Sequence, residues 1–275
     1  MSADAIADSA TMLRRSLRRM RRYPSMTAFV AGIPVVLMLL FVYVFGGTLG
    51  AGLGSSGGAL GGGAANAGLD RDAYLAYVVP GILLIGVAGA GHGTAISVAM
   101  DMTAGIIARF RTMAIARGSV LAGHILGSVV QTLLATAIVG LVALAIGFRP
   151  TTGPVAWLGA ACLLALAAVA VSALCVALGL AANSVETASN SPMFLTLLPF
   201  LGSGFVPAST MPGPLRWFAE NQPFTPLNEA LRGLLIGTPI GGTGLLAVAW
   251  CVGVAALGLI WALRLYERLP VRVGG

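Results

Sequence analysis

Side chains able to do chemistry are scarce in this 275-residue chain, and their settings narrow what it can do. Cys162, Cys175 and Cys251 each fall inside an apolar run, with no CxxC or other metal-ligand spacing; they read as small packing residues. His92 sits in a glycine-rich apolar stretch and His124 near the start of another. Either could relay a proton, but a lone histidine more often hydrogen-bonds a neighbour. There are no paired carboxylates, no Ser-His-Asp constellation and no HExxH, which leaves an intramembrane hydrolase little support. All 16 basic residues are Arg. Without Lys there is no Walker A loop, whose Lys reaches the nucleotide phosphates, and no Schiff-base amine. The chain has no machinery of its own for splitting ATP, and no cofactor or metal is expected on it.

The elements that carry these residues belong to a membrane. The chain is 57% hydrophobic and 9% charged, with mean hydropathy +0.93. A soluble domain carries roughly 25% charged residues. So few charges cannot clothe a water-facing surface, whereas a lipid-facing one needs none, and a separate soluble domain has no room. Apolar stretches near the bilayer length of about 20 residues recur. They predict an all-α protein with six spans at 26–45, 74–97, 120–148, 155–182, 193–206 and 245–263. Pro199 interrupts the fifth, whose clear apolar part is short. Residues 207–235, rich in Pro yet apolar in patches, suit re-entrant or interfacial helices at the membrane face.

Ahead of the spans, residues 4–23 place Leu13, Leu17 and Met20 at helical spacing, with Arg14, Arg15, Arg18 and Arg19 among the residues on the other faces. This is the pattern of an interfacial amphipathic helix held by anionic lipid; a disordered basic tail is the plain alternative. The first apolar run is longer than the 7–15 residues, roughly, of a signal peptide, and Ser16-Leu17-Arg18-Arg19-Met20 is a poor twin-arginine motif. Residues 46–72 are low-complexity Gly and Ser sequence, expected to form a weakly ordered external loop. Gly89 and Gly93 in span two, and Gly123 and Gly127 in span three, are small pairs at i, i+4 suited to close helix packing.

With the N-terminus inside, only Arg71, Arg149, Arg216 and Arg232 fall outside, and the other Arg residues lie in inner segments. The positive-inside rule therefore puts both termini in the cytoplasm. The Arg, Ala and Gly bias fits a bacterial inner membrane. Spans so poor in ionisable groups do not suit ion coupling, so energy for transport must come from a partner. Residues 101–117 mix Ile106, Phe110 and Met113 with Asp101, Arg109, Arg111 and Arg117, as in a short cytoplasmic helix that docks a soluble partner. A headgroup-bound amphipathic loop is the plain alternative.

Three blocks carry a family resemblance: Tyr77 to Leu83; Asp101 to Arg117 with Val120 to Gly123; and Phe205-Val206-Pro207, Met211-Pro212, Leu215-Arg216, Phe218-Ala219-Glu220, Gln222-Pro223 and Thr225-Pro226. In these the chain resembles the type-2 permeases of ATP-binding-cassette exporters, and among them the daunorubicin/doxorubicin-resistance membrane subunits. It departs at Ala114, where the family often has a Pro; Ala extends a helix there rather than kinking it.

The resemblance implies a second permease copy or paralogue and a separate nucleotide-binding subunit that holds ATP and Mg. It further implies that residues 101–117 form the coupling helix contacting that ATPase. Pro207, Met211, Pro212, Glu220, Gln222, Pro223 and Pro226 would then belong to an outer re-entrant hairpin. The substrate would be an amphipathic drug, lipid or polyketide, with a polysaccharide or glycolipid exporter of the same superfamily, or a non-transporting scaffold, as alternatives. Nucleic acid is not a partner. Pro80, Gly81, Gly89, Gly93, Pro192 and Pro199 would be the packing and bending points of spans two and five, which would line the path.

Overall fold

The computed structural model describes residues 11–18, 20, 22, 24–46, 67–104 and 117–268. Among these, every regular element is helical. Residues 11–18 form α1; α2 is Pro24–Leu40, continued by a π turn at Phe41–Phe45; α3 is Ala67–Thr103; α4 is Arg117–Ala145; α5 is Pro154–Ala181. Then come short pieces: α6 at Val185–Asn190, α7 at Met193–Leu197, and 3-10 turns at Leu198–Leu201 and Ala208–Thr210. Helices α8, Gly213–Asn221, and α9, Phe224–Ile236, precede the long α10, Thr243–Arg268.

Helix is the only way a long apolar segment can satisfy its own backbone in lipid. Four helices among the described residues are long and apolar enough to cross a bilayer, within α3, α4, α5 and α10; α2 carries a shorter apolar stretch, Val30–Phe45. This is a multi-pass helical membrane protein. The expected fifth span, 193–206, is not one continuous helix. Pro192 caps α7 instead of extending α6, Pro199 sits in the 3-10 turn, and Gly202 leaves helical geometry altogether.

The centre of the bundle is α3, buried along most of its length. It packs against α2, α4 and α5, and α5 carries α10 on its other side. Small residues set the spacing. A Cβ on Gly179 would lie 2.7 Å from the Ala95 carbonyl oxygen, and one on Gly258 would lie 2.6 Å from the Leu174 backbone nitrogen. Both α3–α5 and α5–α10 are therefore backbone-close crossings, in which dispersion contacts replace the hydrophobic drive that lipid removes. The Ser128 hydroxyl lies 2.6 Å from that of Thr94 and 2.7 Å from that of Ser172, tying α4 to α3 and α5 at mid-depth. Outward, Leu134, Ile138 and Leu141 of α4 and Leu245, Val252 and Leu257 of α10 are exposed, as lipid-facing stripes should be.

Candidate functional site

At one end of the bundle α1 lies across α4. Its seat is cut by glycine: a Cβ on Gly123 would overlap that of Met12, and one on Gly127 would come 2.7 Å from that of Ser16. The i, i+4 glycine pair of α4 thus receives an i, i+4 pair of α1. A charge cluster closes the contact. Asp101 sits in the last turn of α3, where the helix dipole disfavours a carboxylate unless cations stand near it. Its Oδ1 accepts from Arg15 Nη2 at 3.3 Å, and its Oδ2 lies 3.4 Å from His124 Nε2. Arg14 and Arg18 stay exposed on the other side of α1. Three segments, α1, the end of α3 and the start of α4, therefore meet around one buried carboxylate, on either side of residues 105–116.

Here the structure differs from expectation. Asp101, expected to face a partner, turns its carboxylate into the subunit. Ile106, Arg109, Phe110, Arg111 and Met113 lie outside the described residues, as does Arg19; Arg117 opens α4.

At the opposite end, the helix break after α7 must find partners for its exposed backbone. Helix α9 and Tyr77 supply them. The Ser203 carbonyl accepts from the Tyr77 hydroxyl at 2.9 Å and from Arg232 Nη2 at 3.0 Å. Arg232 also donates to the Tyr77 carbonyl at 3.3 Å and to Glu229 at 3.0 Å, with its guanidinium 3.8 Å from the Tyr77 ring centre. Gln222 donates to the Leu198 carbonyl at 3.0 Å. Gly81 meets Gly204 backbone to backbone; a Cβ on Gly81 would stand 2.9 Å from Gly204 Cα. Thr152 donates to the Leu234 carbonyl at 2.7 Å, so the α4–α5 turn caps α9, which Gly237 then ends at φ 84°.

The residues expected in the outer segment divide by burial. Gln222 and Pro226 are buried; Pro207, Met211 and Pro223 are half-buried; Pro212 caps α8; Glu220 is exposed, pairing with Arg216 at 2.7 Å. Pro80 and Gly81 are buried inside the unbroken α3, and Pro192 and Pro199 are buried at the interruptions of the fifth segment. At Gly89 and Gly93 nothing lies within 4 Å of a built Cβ, so no described helix of this subunit packs closely on that face. Sequence reading did not single out Ser128 or Ser203. The four-residue spacing of Ser128, Thr132 and Thr136 was the available signal for the first; Ser203 carried none.

The described residues thus form a helical membrane bundle with a basic helix seated at one end and a broken fifth segment held by α9 and Tyr77 at the other. The chain belongs to the ABC-2 type transporter family, whose pattern matches residues 9–236. It is 27% identical, over 97% of its length and 88% of the relative's, to the daunorubicin resistance ABC transporter permease protein DrrB1 of Streptomyces coeruleorubidus. It is 23% identical, over 68% of each chain, to the probable doxorubicin resistance ABC transporter permease protein DrrC of Mycobacterium tuberculosis.

Proposed function

We propose that this chain forms the translocation path of an ATP-driven exporter for an amphipathic drug, lipid or polyketide-like substrate. A separate nucleotide-binding subunit holds ATP and Mg, and a second permease copy or paralogue completes the path. The chain crosses the inner membrane six times, counting α2 and the broken fifth segment, with both termini cytoplasmic and the α8–α9 hairpin re-entrant at the outer face. The observation that carries this reading is the clasp of α1, α3 and α4 around Asp101, on either side of 105–116. A push on that segment reaches α3 and α4 as rigid bodies, and α3 is the centre of the bundle.

The test is affinity capture of the chain co-expressed with its neighbouring genes, followed by an ATPase assay. Co-elution of a soluble ATPase, whose substrate-stimulated activity falls in Arg109→Ala and Arg111→Ala, is the expected result. Capture without an ATPase sinks it.

A further inference from the structure

The side chains that hold the broken fifth segment keep hydrogen-bonding capacity beyond what the break uses. Asn228 and Arg232 stand four residues apart on one face of α9, and both reach Ser203. The Asn228 amide nitrogen donates to the Ser203 hydroxyl at 3.4 Å, and Arg232 Nη2 donates to the Ser203 carbonyl at 3.0 Å. What remains of the two side chains is complementary. Asn228 Oδ1 is an acceptor, Arg232 Nε is a donor, and neither has a hydrogen-bond partner. Gln222, whose amide nitrogen donates to the Leu198 carbonyl, leaves a further acceptor in the same condition, its Oε1.

These atoms are closed to any large partner. Gln222 is 4% exposed, Asn228 2% and Arg232 7%, and the three atoms themselves have almost no accessible surface. A second protein chain or a lipid therefore cannot touch them. A lone cation would be repelled by the guanidinium, and a lone anion by the two amide oxygens. Leaving the three groups dry is costly inside a membrane protein, where lipid offers no substitute for water. Ser203 is flanked by Gly202 and Gly204, which send no side chain into the space beside these groups. The ligand that fits is small, neutral and enclosed, and it donates and accepts at once.

We infer that this junction holds a small cluster of ordered water, which accepts from Arg232 Nε and donates to Asn228 Oδ1 and Gln222 Oε1. Buried waters make roughly three hydrogen bonds to groups of this kind. The break in the fifth segment is thereby completed by a ligand that belongs to no helix. Tyr77 reports on it, because its hydroxyl shares the Ser203 carbonyl with Arg232 and its ring lies against the Arg232 guanidinium.

The experiment is hydroxyl-radical labelling of the purified full-length chain in detergent, read by mass spectrometry. Brief X-ray irradiation labels a buried side chain only where water lies against it. Tyr77 should be labelled several-fold faster than Tyr266, which is also buried but lies on α10. After rapid mixing into heavy-oxygen water, Tyr77 should take up the isotope later than exposed Tyr43. Asn228→Leu, which removes one acceptor at similar volume, should slow Tyr77 labelling to the rate of Tyr266. Equal labelling of Tyr77 and Tyr266 in the wild type overturns the inference, and so does isotope uptake at Tyr77 as fast as at Tyr43, which would mean exposure to bulk solvent. Both wild-type readings decide the matter should Asn228→Leu fail to fold. Unchanged Tyr77 labelling in a folded Asn228→Leu also overturns it. A melting temperature that rises with chloride at constant ionic strength in the wild type, and not in Asn228→Leu, would make the ligand an anion and overturn it as well.

Discussion

The guanidinium of Arg232 stacks 3.8 Å from the ring centre of Tyr77, and both residues donate to one acceptor, the carbonyl oxygen of Ser203. Two donors from separate helices thereby satisfy a backbone group that the broken fifth segment cannot satisfy itself. Arg232→Ala leaves the Tyr77 carbonyl without this donor in a buried setting. It should destabilise the chain by about 2–4 kcal/mol, read as a lower melting temperature in detergent. Arg232→Lys should recover only part, because an ammonium cannot reproduce the planar fork and stack. Tyr77→Phe keeps the ring and loses one hydrogen bond, about 1 kcal/mol. An unshifted melting temperature for Arg232→Ala would show that the hairpin does not depend on this staple.

The seat of α1 invites a comparison of two effects. The Arg15–Asp101 pair has its Arg side chain 46% exposed, and such pairs contribute at most about 1 kcal/mol. The glycine seat is steric: a side chain on Gly127 meets Ser16, and overpacking costs about 1–3 kcal/mol. Gly127→Val should therefore release α1 more completely than Arg15→Gln. Limited trypsin digestion reads this as faster cleavage at Arg14 and Arg18, sites both variants keep. Faster cleavage in Arg15→Gln than in Gly127→Val would make the ion pair, not the groove, the principal contact.

Long spans were legible because lipid leaves the chain one solution, so α3, α4, α5 and α10 follow the apolar runs. The Gly123 and Gly127 pair was legible as a packing face, though not its occupant, since spacing reports a groove and not what fills it. The same spacing at Gly89 and Gly93 marks, for the same reason, a face left open within this subunit. Asp101 was read by its place in a polar segment. Its inward turn depends on His124 and Arg15, which are brought to it by tertiary packing that sequence proximity does not encode. The interruption of the fifth segment at Pro199 was legible, and the structure adds the Pro192 cap and the extended Gly202, which composition did not fix.

The hydroxyl junction of Ser128 with Thr94 and Ser172 should contribute little, despite its burial. Thr94 also hydrogen-bonds the Ala90 carbonyl at 3.1 Å and retains a partner if Ser128 is removed. Hydrogen bonds between membrane helices average about 0.6 kcal/mol. Ser128→Ala should shift the unfolding free energy by about 1 kcal/mol or less, measured by denaturant titration in mixed micelles. A loss above about 3 kcal/mol would mark the junction as a principal element of the core.

Two glycines on α3 should respond oppositely to the same change. Gly81→Ala puts a methyl 2.9 Å from Gly204 Cα and from its carbonyl oxygen. Backbone cannot rotate away as a side chain can, so α3 and the Gly202–Gly204 break must separate. Overpacking of this kind costs about 1–3 kcal/mol, and here it acts where Ser203 takes its hydrogen bonds. Gly93→Ala meets nothing within 4 Å, and alanine favours helix by nearly 1 kcal/mol over glycine. Melting of the isolated chain should fall for Gly81→Ala and hold or rise for Gly93→Ala. A destabilised Gly93→Ala subunit would instead mean that α3 has a close neighbour on that face within the folded chain.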